Sequence, residues 1–435
     1  DPQGRICHSG RRQQQRINLK ELRIRTMFIN KLKVENFGPI KAGYEADDGY
    51  LSLNQLSVFC GTQGTGKSTL VKLYSTFVWL EKALMRGEMK ASYPVQYSRF
   101  VKKYLAYHGI DTYVCPDTYI HFKGQCYDFE YKEGTFSLTE HIDNIGYQRP
   151  QVMYYPAERN LLSSIVEKAS AIKGLPESLL TLQTDYRQAC QSMSEDVSLP
   201  INKVRFHYDT LNQIGRIVAS DHTVRIDKAS SGLQSATPLY ITLNHLYECT
   251  CLGKQSNTTK ATSKEQETID KRIHSLLLDD TIDDTTRSLL IKKLSDNINK
   301  RLISIIEEPE QNLFPDSQEK VLYELIRLSA QADNQLLFTT HSPYMINFIM
   351  LAIKAFQVAQ IATDAKDRQT IDTIVPLGSA IDGEKVSIYQ IDLEGNICQL
   401  PKYEDIPTDD NYLNTILMNT NTKYSDLVEI QMRYE

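Results

Sequence analysis

The sequence has no excess of positive charge, no cysteines at metal-binding spacing and no long uninterrupted apolar run. Its 435 residues contain 49 Lys and Arg against 54 Asp and Glu, a formal net charge of −5. This balance argues against a nucleic-acid binder driven by the charge of the whole molecule, although it allows a local basic groove. The length suits one large domain with insertions or two domains, and a hydrophobic content of 41% is enough for a packed core.

The cysteines and the apolar stretches indicate the compartment. Of the eight cysteines, Cys249 and Cys251 form the only close pair, and one intervening residue is too few for a zinc knuckle. We therefore expect reduced, structural cysteines in a cytoplasmic protein without a signal peptide. Residues 344–363 are the most apolar long stretch. Because they include Asn347 and Lys354, we expect a buried helix there and no membrane contact.

Two polar regions lack the features of a packed core. Residues 1–26 contain seven Lys and Arg before Met27, and we expect an added leader or tail, with a nucleic-acid-binding arm as the alternative. Residues 252–300 are strongly polar, and helical periodicity at residues 269–277 and 286–302 predicts a helix pair or a short arm. A long coiled coil would need more heptads, and no solenoid repeat is visible.

The most informative stretch present is a glycine-rich loop. Residues 61–68 read GTQGTGKS and fit the phosphate-binding spacing GxxxxGKS. The apolar run 56–60 predicts a buried strand before the loop, and residues 69–80 predict a helix after it, so a chance Gly-rich turn is the weaker alternative. Backbone N–H groups and the helix N-terminus would form an anion cradle, Lys67 would reach the outer phosphates, and Ser68 would offer its hydroxyl to a phosphate-held Mg²⁺. The candidate nucleotide-binding residues of this loop are Gly61, Thr62, Gln63, Gly64, Thr65, Gly66, Lys67, Ser68 and Thr69.

Polar residues also follow two other predicted strands. Residues 301–306 predict an apolar strand that runs into Glu307 and Glu308. At the carboxyl end of a buried strand, Glu307 could bind the hydration shell of Mg²⁺ and Glu308 could orient or deprotonate the attacking water, although an exposed acidic turn is the alternative. After the predicted strand 336–340, His341 could contact the terminal phosphate or that water.

A second anion site is predicted at Ser230, Ser231 and Gly232, before a helical run over residues 237–247. One nucleotide does not need two such sites from one chain, but two chains facing head to tail would each supply the second. A serine-capped helix is the simpler interpretation of the same residues.

The remaining pattern predicts an α/β fold. We expect a strand over residues 28–37 with a turn at Gly38-Pro39, antiparallel hairpins over 112–137 with turns at Gly124 and Gly134, a strand at 152–155 and a hairpin at 389–398. Residues 69–106 read as mostly helical with a break near 92–94, and residues 160–220 read as helical. The expected parts are residues 1–26, 27–158 (nucleotide loop and antiparallel strands), 159–300 (helical lobe with the polar insertion), 301–376 (acidic and histidine core) and 377–435 (accessory segment).

Four motifs together resemble an ABC-type ATPase head: GTQGTGKST, SSGLQS, IIEEPEQNLFPD and TTHSP, in this order. The opening INKLKVENFGPI and the EEPE form are similar to the SMC/RecF/OLD branch. The resemblance implies a P-loop fold with a mixed core sheet, an antiparallel β lobe and a helical lobe. It also implies that Gly61–Thr69 is Walker A, Ser230–Gln234 the signature and Glu307–Glu308 Walker B, with residues 312–316 the D-loop and His341 the switch histidine.

The resemblance further implies ATP and Mg²⁺ as cofactors and a homodimer in which each signature, including Gln234, caps the partner's Walker A. Glu158 is the candidate for the Q-loop and a further metal contact. Because no Asp-x-Asp metal motif of a Toprim nuclease appears, the chain is similar to ATPases of Septu or retron anti-phage systems, with a separate effector such as a nuclease. A DNA-binding repair ATPase is the alternative, although the sequence shows no obvious basic–aromatic stripe.

Overall fold

The computed structural model describes residues 29–141, 147–165, 174–254 and 299–434. The predicted leader, residues 1–26, lies outside the described residues, and so does nearly all of the predicted helix pair in the polar insertion. Residues 301 and 302, which both the helical periodicity over 286–302 and the predicted strand over 301–306 include, belong to a core strand, so the strand prediction is confirmed.

The described strands are β1 (Asn30–Phe37), β2 (Gly43–Tyr44), β3 (Leu51–Leu53), β4 (Leu56–Gly61), β5 (Val114–Lys123), β6 (Tyr127–Lys132), β7 (Thr135–Glu140), β8 (Pro150–Tyr155), β9 (Val197–Ser198), β10 (Arg205–Asp209), β11 (Ile214–Val218), β12 (Thr223–Arg225), β13 (Arg301–Glu307), β14 (Gln335–Thr340), β15 (Val386–Ile391), β16 (Asn396–Gln399), β17 (Lys402–Tyr403) and β18 (Ile406–Pro407). The described α-helices are α1 (Lys67–Met85), α2 (Ser92–Val95), α3 (Leu161–Ile165), α4 (Glu177–Ser192), α5 (Ser231–Cys251), α6 (Pro315–Ser329), α7 (Pro343–Ile361), α8 (Ala365–Ile374) and α9 (Tyr412–Met432).

A seven-stranded mixed sheet forms the centre of the fold, in the order β2-β16-β15-β4-β14-β13-β8. The strands from β15 to β8 are parallel, and β4, β13 and β14 are buried along their whole length. Thr340 lies beside Cys60, and Glu307 lies beside Thr339. The carboxyl ends of β4, β14 and β13 therefore meet at one edge, where a doubly wound sheet places its ligand.

A five-stranded antiparallel sheet, in the order β3-β1-β5-β6-β7, covers helix α1 on the side away from the core sheet. Phe77 of α1 stacks on Phe122 of β5 at a centroid distance of 5.1 Å and on Phe129 of β6 at 5.7 Å. The predicted hairpins are confirmed, because the chain reverses at residues 124–126 and 133–134 between paired strands. Together with the core sheet, this lobe confirms the predicted α/β class with a mixed sheet and an antiparallel lobe.

The second lobe is less helical than we predicted. Helix α4 is followed by a four-stranded antiparallel sheet, in the order β12-β11-β10-β9. The prediction of helices over residues 160–220 is therefore wrong from Val197 onward. In β10 and β11 every second side chain is buried, with Phe206 and Ile217 packed in the core. That period of two is the signal of a half-buried strand.

Two predicted helices also differ from the structure. The break expected near residues 92–94 comes earlier, since α1 ends at Met85 and residues 86–91 are not helical. Among the described residues, α7 is the one helix long and apolar enough to cross a membrane by length and composition. We expected it to be buried, but only one face packs against the core, with Met345 and Ile349 buried and Leu351 exposed.

The predicted hairpin at residues 389–398 is confirmed as β15 and β16. Strand β15 pairs with β4 in parallel and ends with Ile391 beside Gly61. This neighbour constrains the start of the glycine-rich loop.

Candidate functional site

The glycine-rich loop connects β4 to α1, as the motif requires. Gly61 has φ +142°, and a Cβ there would lie 2.4 Å from the carbonyl oxygen of Ile391. Gly66 has φ +100°, and a Cβ there would lie 2.6 Å from the side chain of Ile40. A larger residue at either position would collide with its neighbour, so both the tight curl and the close packing of the loop depend on glycine.

The side chain of Lys67 folds back and forms a hydrogen bond within this loop. Its side chain is buried, with 4% exposed, and its ammonium group donates a hydrogen bond to the carbonyl oxygen of Thr62 at 2.5 Å. Thr65 donates from its hydroxyl to the same carbonyl at 3.0 Å. Burial lowers the pKa of Lys67 to about 8, although the nearby carboxylate of Glu308 opposes that shift. The ammonium group of Lys67 is therefore poorly solvated, and a bound phosphate would stabilise its charged form.

Glu308 and His341 form a pair at the same edge of the sheet. The Nε2 atom of His341 lies 3.2 Å from Oε1 of Glu308. The hydrogen bond from His341 lowers the pKa of the Glu308 carboxyl, so this group is ionised at neutral pH. Glu308 has φ +43°, a conformation that is uncommon outside glycine, and its N–H donates to the carbonyl oxygen of Thr339 at 3.1 Å. This backbone conformation holds the carboxylate at the strand end.

Glu307 lies at the same end of β13, but its side chain contacts β8 and α1 instead of His341. It is buried, with 5% exposed, and Oε1 accepts a hydrogen bond from the hydroxyl of Tyr154 at 2.5 Å. The N–H of Ala157 donates to Oε2 at 3.4 Å, and the ammonium group of Lys72 lies 3.8 Å from Oε1. Tyr154 and Lys72 were missed by the sequence analysis, because their contact with Glu307 joins residues far apart in the chain.

Glu310 is a third carboxyl that sequence reasoning did not assign. Its Oε1 accepts hydrogen bonds from the hydroxyl of Thr340 at 2.7 Å and from the N–H of His341 at 2.8 Å. Burial raises the pKa of the Glu310 carboxyl. Glu310 thus ties the end of β13 to the turn that presents His341. The third acidic residue of the EEPE stretch was the available signal.

Arg159 joins the same end of β13 to β8. The side chain is fully buried and donates to the carbonyl oxygens of Glu307 at 2.5 Å, Glu308 at 2.6 Å and Pro156 at 3.2 Å. Burial lowers the pKa of this guanidinium to about 10, so it stays charged at neutral pH. The sequence analysis chose the neighbouring Glu158, whose side chain is exposed in the turn Ala157–Asn160.

The predicted magnesium ligands fit an ion that arrives with phosphate. Among the described residues no group of three His, Cys, Asp or Glu side chains is arranged to hold a metal ion. Ser68 lies in the first turn of α1, and Glu307 lies at the adjoining end of the sheet. Each side chain has an oxygen atom that could bind a metal ion. Mg²⁺ in nucleotide sites is held by one or two protein oxygens together with the phosphates and water, so this sparse set is compatible with it.

The second predicted anion site lies against the segment 312–316. Ser230 precedes α5, Ser231 is its exposed first residue, and Gly232 is buried. A Cβ on Gly232 would lie 2.6 Å from the carbonyl oxygen of Asn312, so the two segments touch through the backbone. Ser230, Gly232 and Asn312 line an open cavity of about 330 Å³. Although Gly232 itself is buried, it therefore borders space that a ligand or a second chain could enter.

Gln234, also assigned to this site, is directed elsewhere. Its side-chain amide donates to the carbonyl oxygens of Ala229 at 2.9 Å and Asp227 at 3.2 Å. It holds the turn that leads into α5.

The structure thus brings Lys67, Glu307, Glu308 and His341 to one edge of the sheet. A Cβ at Gly61 or Gly66 would contact residues 391, 40 and 39, whereas a Cβ at Gly232 would contact residues 312 and 313. At these glycines the two predicted anion sites pack against different segments of the chain.

Comparison with known proteins identifies the ATPase signal in sequence. Residues 285–346 match the AAA ATPase domain family, a stretch that contains Glu307, Glu308 and His341. No curated protein matches the chain significantly.

Solved structures similar to this chain include the SMC head domain from Thermotoga maritima, with 10% identity over 74% of this chain and 92% of that one, at a TM-score of 0.34. A Smc head domain with an extended coiled coil, bound to the C-terminal domain of ScpA and derived from Pyrococcus furiosus, has 11% identity, coverage of 74% and 91%, and a TM-score of 0.33. A nucleotide-free ATP-binding cassette from an ABC transporter has 11% identity, coverage of 87% and 93%, and a TM-score of 0.28. Identities and TM-scores this low do not indicate a function for this chain. The proposed function therefore rests on the geometry of the site.

Proposed function

We propose that this chain binds and hydrolyses ATP and that two copies close on two nucleotides as a switch. The observation that carries the proposal is the shared edge of the core sheet. There a phosphate-binding loop with a buried lysine lies beside an ionised carboxylate paired with a histidine. The match of residues 285–346 to an ATPase family supports the same chemistry.

Each residue at this edge has a separate task. The loop N–H groups and Lys67 bind the outer phosphates, and Ser68 with Glu307 would hold the magnesium ion, which supplies charge neutralisation between the phosphates when bound. Glu308 accepts a proton from the attacking water, and His341 orients its carboxylate. The experiment is a comparison of ATP turnover by the purified protein with that of a Glu308→Gln variant.

ATP binding is expected to weaken as the pH rises above about 8. The pKa of Lys67 is about 8 in the free protein, and a bound phosphate would raise it. Below that pH the ammonium is charged with and without ligand, so affinity is constant. Above it, binding must take up a proton, and the dissociation constant should rise by up to about tenfold per pH unit. Titration calorimetry at several pH values in two buffers of different ionisation enthalpy measures both affinity and proton uptake.

The Lys67→Arg variant is the control for that pH profile. A guanidinium stays charged throughout this range, so its weaker binding should not change between pH 7 and about 9. A wild-type affinity that is constant over the same range would contradict a Lys67 pKa near 8 in the free protein.

A Ser231→Arg variant is expected to bind ATP normally but to fail to form the closed dimer. Ser231 is exposed at the start of α5, so arginine fits the free chain, but it would obstruct a phosphate presented by a second copy. Sedimentation velocity with ATP, in a background that does not hydrolyse it, measures dimer formation. A normal dimer with Ser231→Arg would exclude the signature role of this segment.

We further infer that closure acts on a separate effector, in the manner of the anti-phage ATPases whose motifs this chain resembles. A DNA-binding role in maintenance is the second candidate, and a cluster of tyrosine and basic side chains around Arg99 favours it. Loss of phage resistance on deletion of the gene would support the first role, and sensitivity to DNA damage without such a loss would support the second.

A further inference from the structure

An exposed cluster of aromatic and basic side chains lies on α1 and on the segment that follows it. We define this basic–aromatic surface by Trp79, Lys90, Tyr93, Tyr97, Arg99 and Lys103. Trp79 is 45% exposed, Tyr93 37% and Tyr97 78%. The sequence analysis found no such stripe, because these residues are irregularly spaced and meet only after the chain folds back at residues 86–91.

Cations and rings alternate across this surface. The Arg99 guanidinium lies 4.1 Å from the ring centroid of Tyr93 and 4.9 Å from that of Tyr97. The Lys103 ammonium lies 5.2 Å from the Tyr93 centroid and 5.8 Å from that of Tyr104, which in turn contacts Trp79 at 5.9 Å. Trp79, Lys90, Tyr93 and Lys103 line an open cavity of about 450 Å³. Flat faces and positive charges are therefore presented together beside an accessible recess.

The local charge differs from that of the whole chain. The charged residues that define this surface are Lys90, Arg99 and Lys103, all of them basic, whereas the whole chain has a net charge of −5. Glu81 is buried and accepts hydrogen bonds from the N–H groups of Cys126 and Tyr127. Glu88 pairs with Arg86 at 3.0 Å. Glu81 therefore does not face the surface, whereas Glu88 lines the same recess and its charge is offset by Arg86.

The backbone holds one ring outward. Tyr97 and Ser98 have φ +58° and +54°, a conformation that bulky residues rarely adopt. The side chain of Tyr97 consequently projects from the surface instead of packing into the core, where Phe100 lies buried a few residues later. This conformation suits a ring that stacks on a ligand and contributes little to the core.

We propose that the basic–aromatic surface binds single-stranded nucleic acid, with bases stacked on Tyr97 and Tyr93 and phosphates neutralised by Arg99 and Lys103. Aromatic faces joined to a positive track are the usual chemistry of such sites, because every base has a face to stack and every nucleotide a phosphate. A protein-binding hot spot would also use Trp, Tyr and Arg, but lysine is depleted at protein interfaces. The two lysines of this surface, Lys90 and Lys103, therefore favour nucleic acid. The surface shares no residue with the proposed ATP site, so the two proposals fail separately.

The test uses fluorescence anisotropy with a labelled oligothymidylate of about 20 nucleotides, longer than the roughly 4–16 nucleotides that one single-strand site covers. Tyr97→Ala is expected to weaken binding about tenfold without changing the salt dependence, since it removes a stacked base and no charge. Arg99→Ala is expected to lower the slope of log affinity against log salt by roughly 0.7, the contribution of one phosphate contact to a single strand. An oligouridylate and a duplex of equal length distinguish DNA, RNA and paired bases.

Tyr403→Ala is the matched control, because Tyr403 is 79% exposed but lies on β17, outside the surface. All of these variants should keep the thermal midpoint of the wild type, which shows that they are folded whether or not the chain binds ATP. The proposal is wrong if the wild type binds no single strand at low salt, if Tyr97→Ala and Arg99→Ala bind like Tyr403→Ala, or if the duplex binds as tightly as the single strand. It is equally wrong if the surface instead captures an acidic protein in place of nucleic acid.

Discussion

Replacement of Lys67 by alanine is expected to weaken ATP binding about 100- to 1000-fold. The ammonium is buried, and its hydrogen bond inside the loop is to the carbonyl oxygen of Thr62. Removing a charged partner from such a desolvated site costs about 3–4 kcal/mol of binding free energy, which corresponds to that loss of affinity. Equilibrium binding of a fluorescent ATP analogue measures it.

The same substitution should leave the fold intact. Burial lowers the pKa of Lys67 to about 8, so the free protein already bears a cost for keeping this ammonium charged. Loss of the side chain removes that cost, and the thermal midpoint should change little. Lys354→Ala is the control, since Lys354 is exposed on α7 and should not affect binding. Unchanged ATP affinity in Lys67→Ala would disprove the proposed phosphate cradle.

Replacement of Glu308 by glutamine is expected to lower the turnover number about 10²- to 10⁴-fold while ATP still binds. The amide keeps the size of the side chain but cannot accept a proton from water, and general-base catalysis is worth about that factor. The variant also loses the charge that His341 faces at 3.2 Å. Because hydrolysis is blocked after closure, the ATP-bound dimer should accumulate, visible as a larger sedimentation coefficient with ATP than without it.

Two further variants make that result specific. Glu429→Gln changes an exposed carboxylate on α9 in the same way and should hydrolyse ATP like the wild type. His341→Gln should lower turnover less than Glu308→Gln does, because it removes the group that orients the base and leaves the base present. Full turnover in Glu308→Gln would show that another group activates the water, and the catalytic assignment of Glu308 would be wrong.

The strand, glycine-rich loop and helix over residues 56–85 could be predicted from sequence because their determinants are local. Gly61, Gly66 and Lys67 lie within seven consecutive residues, and the strand before them and the helix after them are readable from apolar spacing. The hairpins of the antiparallel sheet were equally readable, since Gly124 and Gly134 mark their turns. Short-range backbone geometry specifies both.

The residues that support Glu307, Glu308 and His341 at the edge of the sheet could not be predicted in the same way. Arg159 binds the carbonyl oxygens of Glu307 and Glu308, about 150 residues further along the chain. Glu158 was chosen from the sequence as the candidate metal contact, because a carboxylate is a common metal ligand. The burial of the neighbouring Arg159 cannot be recognised from the residues around it. Strands β9 to β12 were missed because they are short and polar on one face, and helical patterns were read across them.

The sequence by itself determined the glycine-rich loop, the order of the core strands along the chain and the acidic and histidine residues at their ends, because each depends on a few neighbouring residues. Only the tertiary structure decided how these ends meet. Parallel pairing of β4, β14 and β13 brings Lys67, Glu308 and His341 together, and buried partners such as Arg159 and Glu310 fix their positions. The folded chain likewise gathers Trp79, Tyr93 and Arg99 onto one surface, since contacts between side chains that are distant or irregularly spaced in sequence form only when the chain packs.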